Sequence, residues 1–243
     1  MLKSHGFDEA TFSLLRAGLA GGLREKGSNT LDGEVKAPRE GVVQSWPVGN
    51  EAQRLREIGT RALQRGEVAC LVLNGGMATR FGGVVKGVVP VLGDRSFLNL
   101  KLSDIERTPG NTPVFLMNSF ATDSDTRAHV AEMGVDVPLH YVHQNISLRL
   151  RPDGEIYRDS TGAPSFYAPG HGDVFPALQR SPEFREWAKA GGNAVMVSNV
   201  DNLAATLDPL VVGAYLECGK RCMVEVAPKW AGDAGGAPAE VNG

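Results

Sequence analysis

Long apolar runs are missing from this chain. The longest are about seven residues, against the roughly 20 a helix needs to span a bilayer, and the N-terminal stretch from Met1 to Leu15 has no apolar segment of the secretory kind. Cysteine is scarce. Cys70, Cys218 and Cys222 are the only three, they lack zinc-ligand spacing and leave an odd thiol, so the expected compartment is a reducing cytoplasm. A basic excess is missing too: 25 Lys and Arg face 28 Asp and Glu for a net charge of −3. Aromatic residues make up 7% and do not interleave with a basic stripe, which leaves nucleic-acid binding without a footing. Two well-known phosphate loops are also lacking. There is no Gly-Lys-Ser/Thr triplet of the P-loop kind, and no glycine spacing of the dinucleotide fingerprint.

What is present is enough for a packed core. The chain has 243 residues, 42% hydrophobic and 22% charged, which suits one sizeable domain. Glycine is in excess: there are 30, roughly twelve per hundred against a typical seven. They form no repeat, so backbone freedom is needed at many separate places.

The pattern along the chain alternates helix and strand. Helical spacing runs over residues 7 to 24, broken by Gly21-Gly22, and residues 26 to 49 read as loop. A second helix, Glu51 to Gln64, ends at Gly66. The continuous apolar run Val68 to Leu73 reads as a strand covered on both faces. Then follow helix (Phe97 to Arg107), strand (Pro113 to Met117), helix (Asp123 to Met133, with Thr122 or Asp123 as N-cap) and strand (Leu139 to His143). Ser147 to Tyr157 carries a hairpin signal at Pro152-Asp153-Gly154. Pro176 to Trp187 is helical with a break near Pro182. Ala194 to Val197 is a strand, Pro209 to Leu216 a helix and Cys222 to Val226 a strand. Such alternation predicts an α/β domain with a mostly parallel sheet flanked by helices. The expected division is an N-terminal helix and loop over 1–49, the main domain over 50–228 and a flexible tail over 229–243.

The glycine-rich loop Leu73-Asn74-Gly75-Gly76, continuing through Gly82-Gly83 to Lys86, follows the buried strand. Ligands of open α/β sheets sit at the carboxyl ends of strands. Glycines there let backbone N–H groups approach an anion, and Lys86 supplies a mobile positive charge, with Arg80 as a second. Taken alone, the loop is equally well a tight turn with surface charges. Gln144 ends the strand Leu139 to His143, and its amide can pair with uracil or, flipped, with cytosine; a strand-end surface amide would account for it as simply. His171 lies between Gly170 and Gly172. Asp173 is explained by helix capping. Asn199 and Asp201 follow the last core strand, where a carboxylate can hold Mg²⁺ together with substrate phosphates, although Asn and Asp also favour turns.

The loop Leu73, Gly75, Gly76, Thr79, Lys86 and Val88-Val89-Pro90-Val91 resembles the UTP–glucose-1-phosphate uridylyltransferase family. Three later motifs follow in the family's order: Met117 to Asp123 (Met-Asn-Ser-Phe-Ala-Thr-Asp), Pro169 to Asp173 (Pro-Gly-His-Gly-Asp) and Ser198 to Leu203 (Ser-Asn-Val-Asp-Asn-Leu). Ala78 departs from the family's glycine, which would strain the loop if that position needs positive φ. The resemblance implies a Rossmann-like nucleotidyltransferase domain of GT-A type that transfers the uridylyl group of UTP to glucose 1-phosphate with Mg²⁺. It implies Lys86 and Arg80 as catalytic residues. Leu73, Asn74, Gly75, Gly76, Gln144, Gly170, His171, Asn199 and Asp201 bind substrate. Gln144 and Gly170 read the base, His171 contacts the sugar phosphate or the phosphate chain, Asn199 meets the nucleotide, and Asp201 serves ribose, sugar or metal. Members of the family are longer, so the chain reads as a truncated member. The alternatives are a sister enzyme using an N-acetylhexosamine 1-phosphate and a non-catalytic UTP-binding remnant.

Overall fold

A computed structural model describes residues 2, 5–21, 33–78 and 83–242. In chain order the elements are α1 (Glu9–Ala20), β1 (Val35–Lys36), α2 (Gly49–Gln64), β2 (Val68–Leu73), β3 (Met77–Ala78), β4 (Val84–Val85), β5 (Pro90–Leu92), β6 (Arg95–Ser96) and α3 (Phe97–Glu106). They continue with β7 (Val114–Asn118), α4 (Asp123–Met133), β8 (Leu139–His143), β9 (Ser147–Leu148), β10 (Phe166–Tyr167), α5 (Val174–Arg180), α6 (Pro182–Lys189), β11 (Ala194–Asn199), α7 (Pro209–Glu217) and β12 (Glu240–Val241).

The central sheet is all parallel, in the order β11-β2-β7-β8. The apolar run of β2 divides by the period of two. Val68, Cys70 and Val72 enter one core with Val114 and Leu116 of β7, under Leu98, Leu102 and Ile105 of α3 and Val212 of α7. Ala69 and Leu71 enter the other with Phe115 and Met117, under Val174, Ala177 and Leu178 of α5. A strand buried on both faces has no reason to alternate polar and apolar residues, as the sequence reading expects. Helices α2 and α7 pack closely through glycines. A Cβ on Gly59 would lie 1.9 Å from the Pro209 carbonyl oxygen, and one on Gly213 2.0 Å from that of Leu55.

From β2 the chain steps outward through β7 to β8, then crosses back to lay β11 on the opposite side of β2. The strand order therefore reverses between β2 and β11. At such a switch point the loops leave the strand ends in opposite directions and open a crevice.

Two expectations need correcting. Cys222 to Val226 forms no strand: Val224 and Val226 are 72% and 51% exposed. Its alternation suits a strand, but no strand among the described residues lies alongside it to satisfy its backbone. Within the predicted loop 26–49, Val35–Lys36 pairs antiparallel with Glu240–Val241, and Arg39 binds Glu240 at 2.7 Å. The hairpin signal at 152–154 is real, with Gly154 at φ 82° and its N–H on the Arg151 carbonyl at 2.9 Å. The chain then turns again, and Ser147–Leu148 pairs with Phe166–Tyr167.

Candidate functional site

The carboxyl ends of β2, β7, β8 and β11 carry nearly all the polar residues singled out above. After Leu73, the chain passes Asn74-Gly75-Gly76 and enters a short antiparallel ribbon in which Met77 and Ala78 pair with Val85 and Val84. The ribbon returns Lys86 to the foot of the loop, where its N–H donates to the Gly76 carbonyl at 3.2 Å. Among the described residues the only non-glycine with positive φ is Asn242, so Ala78 sits in extended backbone that an L-residue accepts. Arg80, with Thr79 and Gly82, lies outside the described residues.

Across the crevice, Lys86 Nζ meets Asp201 Oδ2 at 3.0 Å, both side chains being more than a third exposed. Leu73 and Asn199 are register partners in β2 and β11, and the Val200 N–H donates to the Leu73 carbonyl at 3.1 Å. Asn199 is exposed beside them. Leu73, Gly76, Lys86, Asn199 and Asp201 thus gather around the switch point.

A second group forms over β7 and β8. Gln144 is 5% exposed. Its Oε1 accepts the Gly170 N–H at 3.0 Å, and Gly170 adopts φ 80°, where glycine is favoured. This bond fixes the orientation of the amide. Its Nε2 then faces Gly75, whose glycine identity follows from the contact: a Cβ there would be 2.0 Å from Nε2. Among the described residues Nε2 has no hydrogen-bond partner, so it remains available as a donor. His171 follows in the turn Gly170–Asp173, exposed; its carbonyl accepts the Val174 N–H, while its imidazole makes no hydrogen bond or ion pair among the described residues.

Asn74 departs from the sequence expectation. It is wholly buried, and its Nδ2 donates to Asn118 Oδ1 at 2.9 Å and Thr126 Oγ1 at 2.8 Å. Its Oδ1 packs on Gly87, where a Cβ would lie 2.1 Å away. The side chain therefore anchors the loop from beneath and does not face the crevice. Asp173 stands at the N-cap position of α5 but makes no capping bond there. It binds the backbone and side-chain amides of Asn145 instead, clamping the Gln144 loop to the Gly170 turn.

Several supporting residues, Asn118 and Asp123 of the Met117 to Asp123 motif among them, were given no place in the site by sequence reasoning. Asn118 Nδ2 donates to Asp123 at 2.9 Å, and Asp123 also takes Arg127 at 2.8 Å and faces His143 at 2.9 Å. Burial works to raise the Asp123 carboxyl, but the bonds from Asn118 and Arg127 and the nearby His143 together hold it below its ordinary value. Lys101, 3% exposed, donates to the carbonyls of Asn202 at 2.9 Å and Ala205 at 2.5 Å, so it fixes the loop that carries Asp201. Burial pushes its ammonium below the usual lysine value. One signal was present, since Lys101 falls on the apolar stripe Leu98, Leu102, Ile105 of α3.

The test for Mg²⁺ rests on the donors present. Among the described residues no three His, Cys, Asp or Glu side chains converge on a metal-sized site. Mg²⁺ in nucleotide sites often takes only one or two carboxylates and draws its other ligands from phosphates and water. Asp201, with one oxygen on Lys86 and the Asn199 amide near it on the same strand end, fits that smaller demand.

Residues 24–243 match the family model described as UTP–glucose-1-phosphate uridylyltransferase. The chain is similar to the enzyme of that name from Saccharomyces cerevisiae, 31% identical over 185 residues, covering 70% of this chain and 36% of the relative. To that of Musa acuminata it is 32% identical over 217 residues, covering 84% and 45%. A solved structure of a UDP-glucose pyrophosphorylase variant from Leishmania major, in complex with UDP-glucose, superposes with TM-score 0.55 at 27% identity, covering 64% of this chain and 35% of that one. The chain spans about two fifths of the length of these two curated relatives, by the shares of 36% and 45%.

Proposed function

As the chain belongs to the UTP–glucose-1-phosphate uridylyltransferase family, we propose that its strand ends form the UTP site of a uridylyl transfer to glucose 1-phosphate, giving UDP-glucose and pyrophosphate. The observation that carries this reading is the separation of two chemically different poles on one sheet edge. Lys86 and Asp201 meet across the β2–β11 crevice, while Gln144, held by the Gly170 N–H, closes on Gly75 over β7 and β8. The first suits phosphates and the second a base, which is the arrangement a nucleoside triphosphate requires.

At the base pole the Gln144 Nε2 donates to the uracil O4 carbonyl, the one that cytosine lacks. A cytosine ring would meet this donor with its own amino group where uracil has O4, so the fixed amide orientation favours uracil at that edge. At the phosphate pole the reaction joins two anions: an oxygen of the sugar phosphate attacks the α-phosphorus of UTP, and pyrophosphate leaves. Repulsion between them is the main obstacle, so positioning and positive charge supply most of the catalysis. Lys86 exchanges Asp201 for phosphate oxygens when the nucleotide binds. The exchange costs little, because an ion pair this exposed is worth about 0–1 kcal/mol. The glycines at 75 and 76 bring backbone N–H groups to the same phosphates. Asp201, with Asn199, would hold Mg²⁺, which when bound neutralises charge on the triphosphate. His171, free in its turn, contacts the sugar phosphate or the phosphate chain. A cytoplasmic setting accords with three free cysteines.

Release of pyrophosphate from UTP, measured with glucose 1-phosphate and with N-acetylhexosamine 1-phosphates, tests the reading. Turnover is expected with glucose 1-phosphate, falling about 10²–10³-fold or more in Lys86→Ala, as for removal of one well-placed charge-stabilising donor. A fully active Lys86→Ala protein overturns the role given to Lys86. Binding of UTP with no turnover under any sugar phosphate leaves a nucleotide-binding protein in place of an enzyme.

A further inference from the structure

We propose that the N-terminal arm, His5 to Leu19, is a specificity-determining strap for the base pole; the inference rests on the UTP reading given above. The arm precedes the segment that matches the family model, which begins at residue 24, yet it packs against the loop that carries Gln144. The His5 carbonyl accepts the Ile146 N–H at 2.9 Å. Gly6, at φ 69°, presses on Asn145 so closely that a Cβ would stand 2.4 Å from Asn145 Oδ1. The His5 ring lies edge-on to Phe120, with centroids 6.5 Å apart, and Phe120 does the same to Phe166. Farther along, Arg16 of α1 donates to the Gly154 carbonyl at 2.9 Å and to Glu155 at 2.8 Å, fixing the arm to the hairpin.

The loop Gln144 to Ile146 is therefore held from two sides. Asp173 grips Asn145 from the Gly170 turn, and the arm grips Ile146 and covers Asn145. Gln144 can present a single donor orientation only while its backbone is fixed; its own N–H donates to the Asn118 carbonyl at 2.9 Å, and of the two grips on the residues that follow it, one comes from outside the family-matched region. None of these contacts involves Gly76, Lys86, Asn199 or Asp201, so the arm bears on the base pole alone.

The experiment uses full-length Gly6→Val and Arg16→Ala. Valine at Gly6 combines a Cβ clash with a φ that β-branched residues avoid, whereas Arg16→Ala removes only an exposed tether and tests the arm should the first variant fold poorly. Hydrogen exchange at the Ile146 amide reports release of the arm. Calorimetric titration then compares UTP with inorganic tripolyphosphate, which probes the phosphate pole alone. If the released loop holds its competent geometry a tenth of the time, the UTP dissociation constant rises about tenfold in Gly6→Val, with a smaller rise in Arg16→Ala and no change for tripolyphosphate in either. An unchanged UTP affinity in a variant whose Ile146 amide has become labile overturns the strap, as does an equal loss for UTP and tripolyphosphate. A wild-type chain that binds tripolyphosphate but not UTP overturns the base-reading site itself, and the strap with it.

Discussion

Gly75→Ala probes the contact that shapes the base pole. The added Cβ would lie 2.0 Å from Gln144 Nε2 and 3.0 Å from its Cδ, whereas comfortable non-bonded contact begins at about 3.5 Å, so the amide must retreat by about 1.5 Å. Gln144 is almost wholly buried and already bonded to the Gly170 N–H at 3.0 Å, so a shift of that size breaks the bond. Loss of one such bond costs stability about 0.5–1.5 kcal/mol. The same movement withdraws Nε2 from a nucleotide, and a hydrogen bond worth about 1.4 kcal/mol corresponds to a tenfold change in affinity. Calorimetric titration of the variant with UTP is therefore expected to give a dissociation constant about tenfold higher. The decisive measurement is a double-mutant cycle. In a Gln144→Ala background the space beside position 75 is open, so Gly75→Ala should cost nearly nothing further. An alanine at 75 that weakens UTP equally with and without the glutamine would refute the proposed contact.

Three other outcomes follow from the packing and the titrating groups. Gly59→Ala and Gly213→Ala each drive a Cβ into a backbone carbonyl at about 2 Å across the α2–α7 contact, and overpacking of this kind costs about 1–3 kcal/mol; a urea midpoint that does not fall would show that the helices separate freely. The Asp123 carboxyl is held below its ordinary value of 3.8, so the folded state binds fewer protons than the unfolded one at acid pH. Its stabilising contribution is complete above the ordinary value and is lost as pH falls through the folded one. Asp123→Asn should accordingly flatten the loss of unfolding free energy below about pH 4, and identical acid limbs for the two proteins would exclude this carboxyl as a contributor. Burial pushes the Cys70 thiol up to about 12, while Cys218 and Cys222 are exposed; Ellman titration of the native protein near neutral pH should report two reactive thiols, with the third appearing only on denaturation.

The fold was readable wherever one local rule decided it. The run Val68 to Leu73 reads as a strand covered on both faces, Asp123 to Met133 has the composition and length of its helix, and Pro182 marks the break between α5 and α6. Readings failed where pairing decided the outcome. Cys222 to Val226 has the alternation of a strand, but a strand is defined by its neighbour's backbone, and periodicity carries no information about neighbours. Val35–Lys36 shows the converse: two residues with no periodicity of their own become a strand because Glu240–Val241 lies beside them.

The site divides along the same line. Polar residues directly after a core strand, namely Gly75, Gly76, Gln144, Asn199 and Asp201, were readable because a parallel sheet directs its strand ends to one edge. Which of them face the crevice was not. Asn74 has the same sequence position relative to its strand as its glycine neighbours, yet Gly87 and the pair Asn118 and Thr126 claim its side chain from below. Lys86 lies ten residues beyond Gly76, and only the ribbon Met77–Ala78 with Val84–Val85 returns it to the crevice. Glycine identity is the strongest remaining clue to such contacts. Gly75 and Gly87 do not use the conformations that favour glycine; among the described residues with positive φ neither appears. What they accommodate is a neighbour, the Gln144 amide in one case and the Asn74 amide in the other. A glycine in ordinary backbone beside a polar site thus marks where a side chain from elsewhere in the chain must arrive, and here both arriving side chains belong to the strand-end loops that build the base pole and support the phosphate loop.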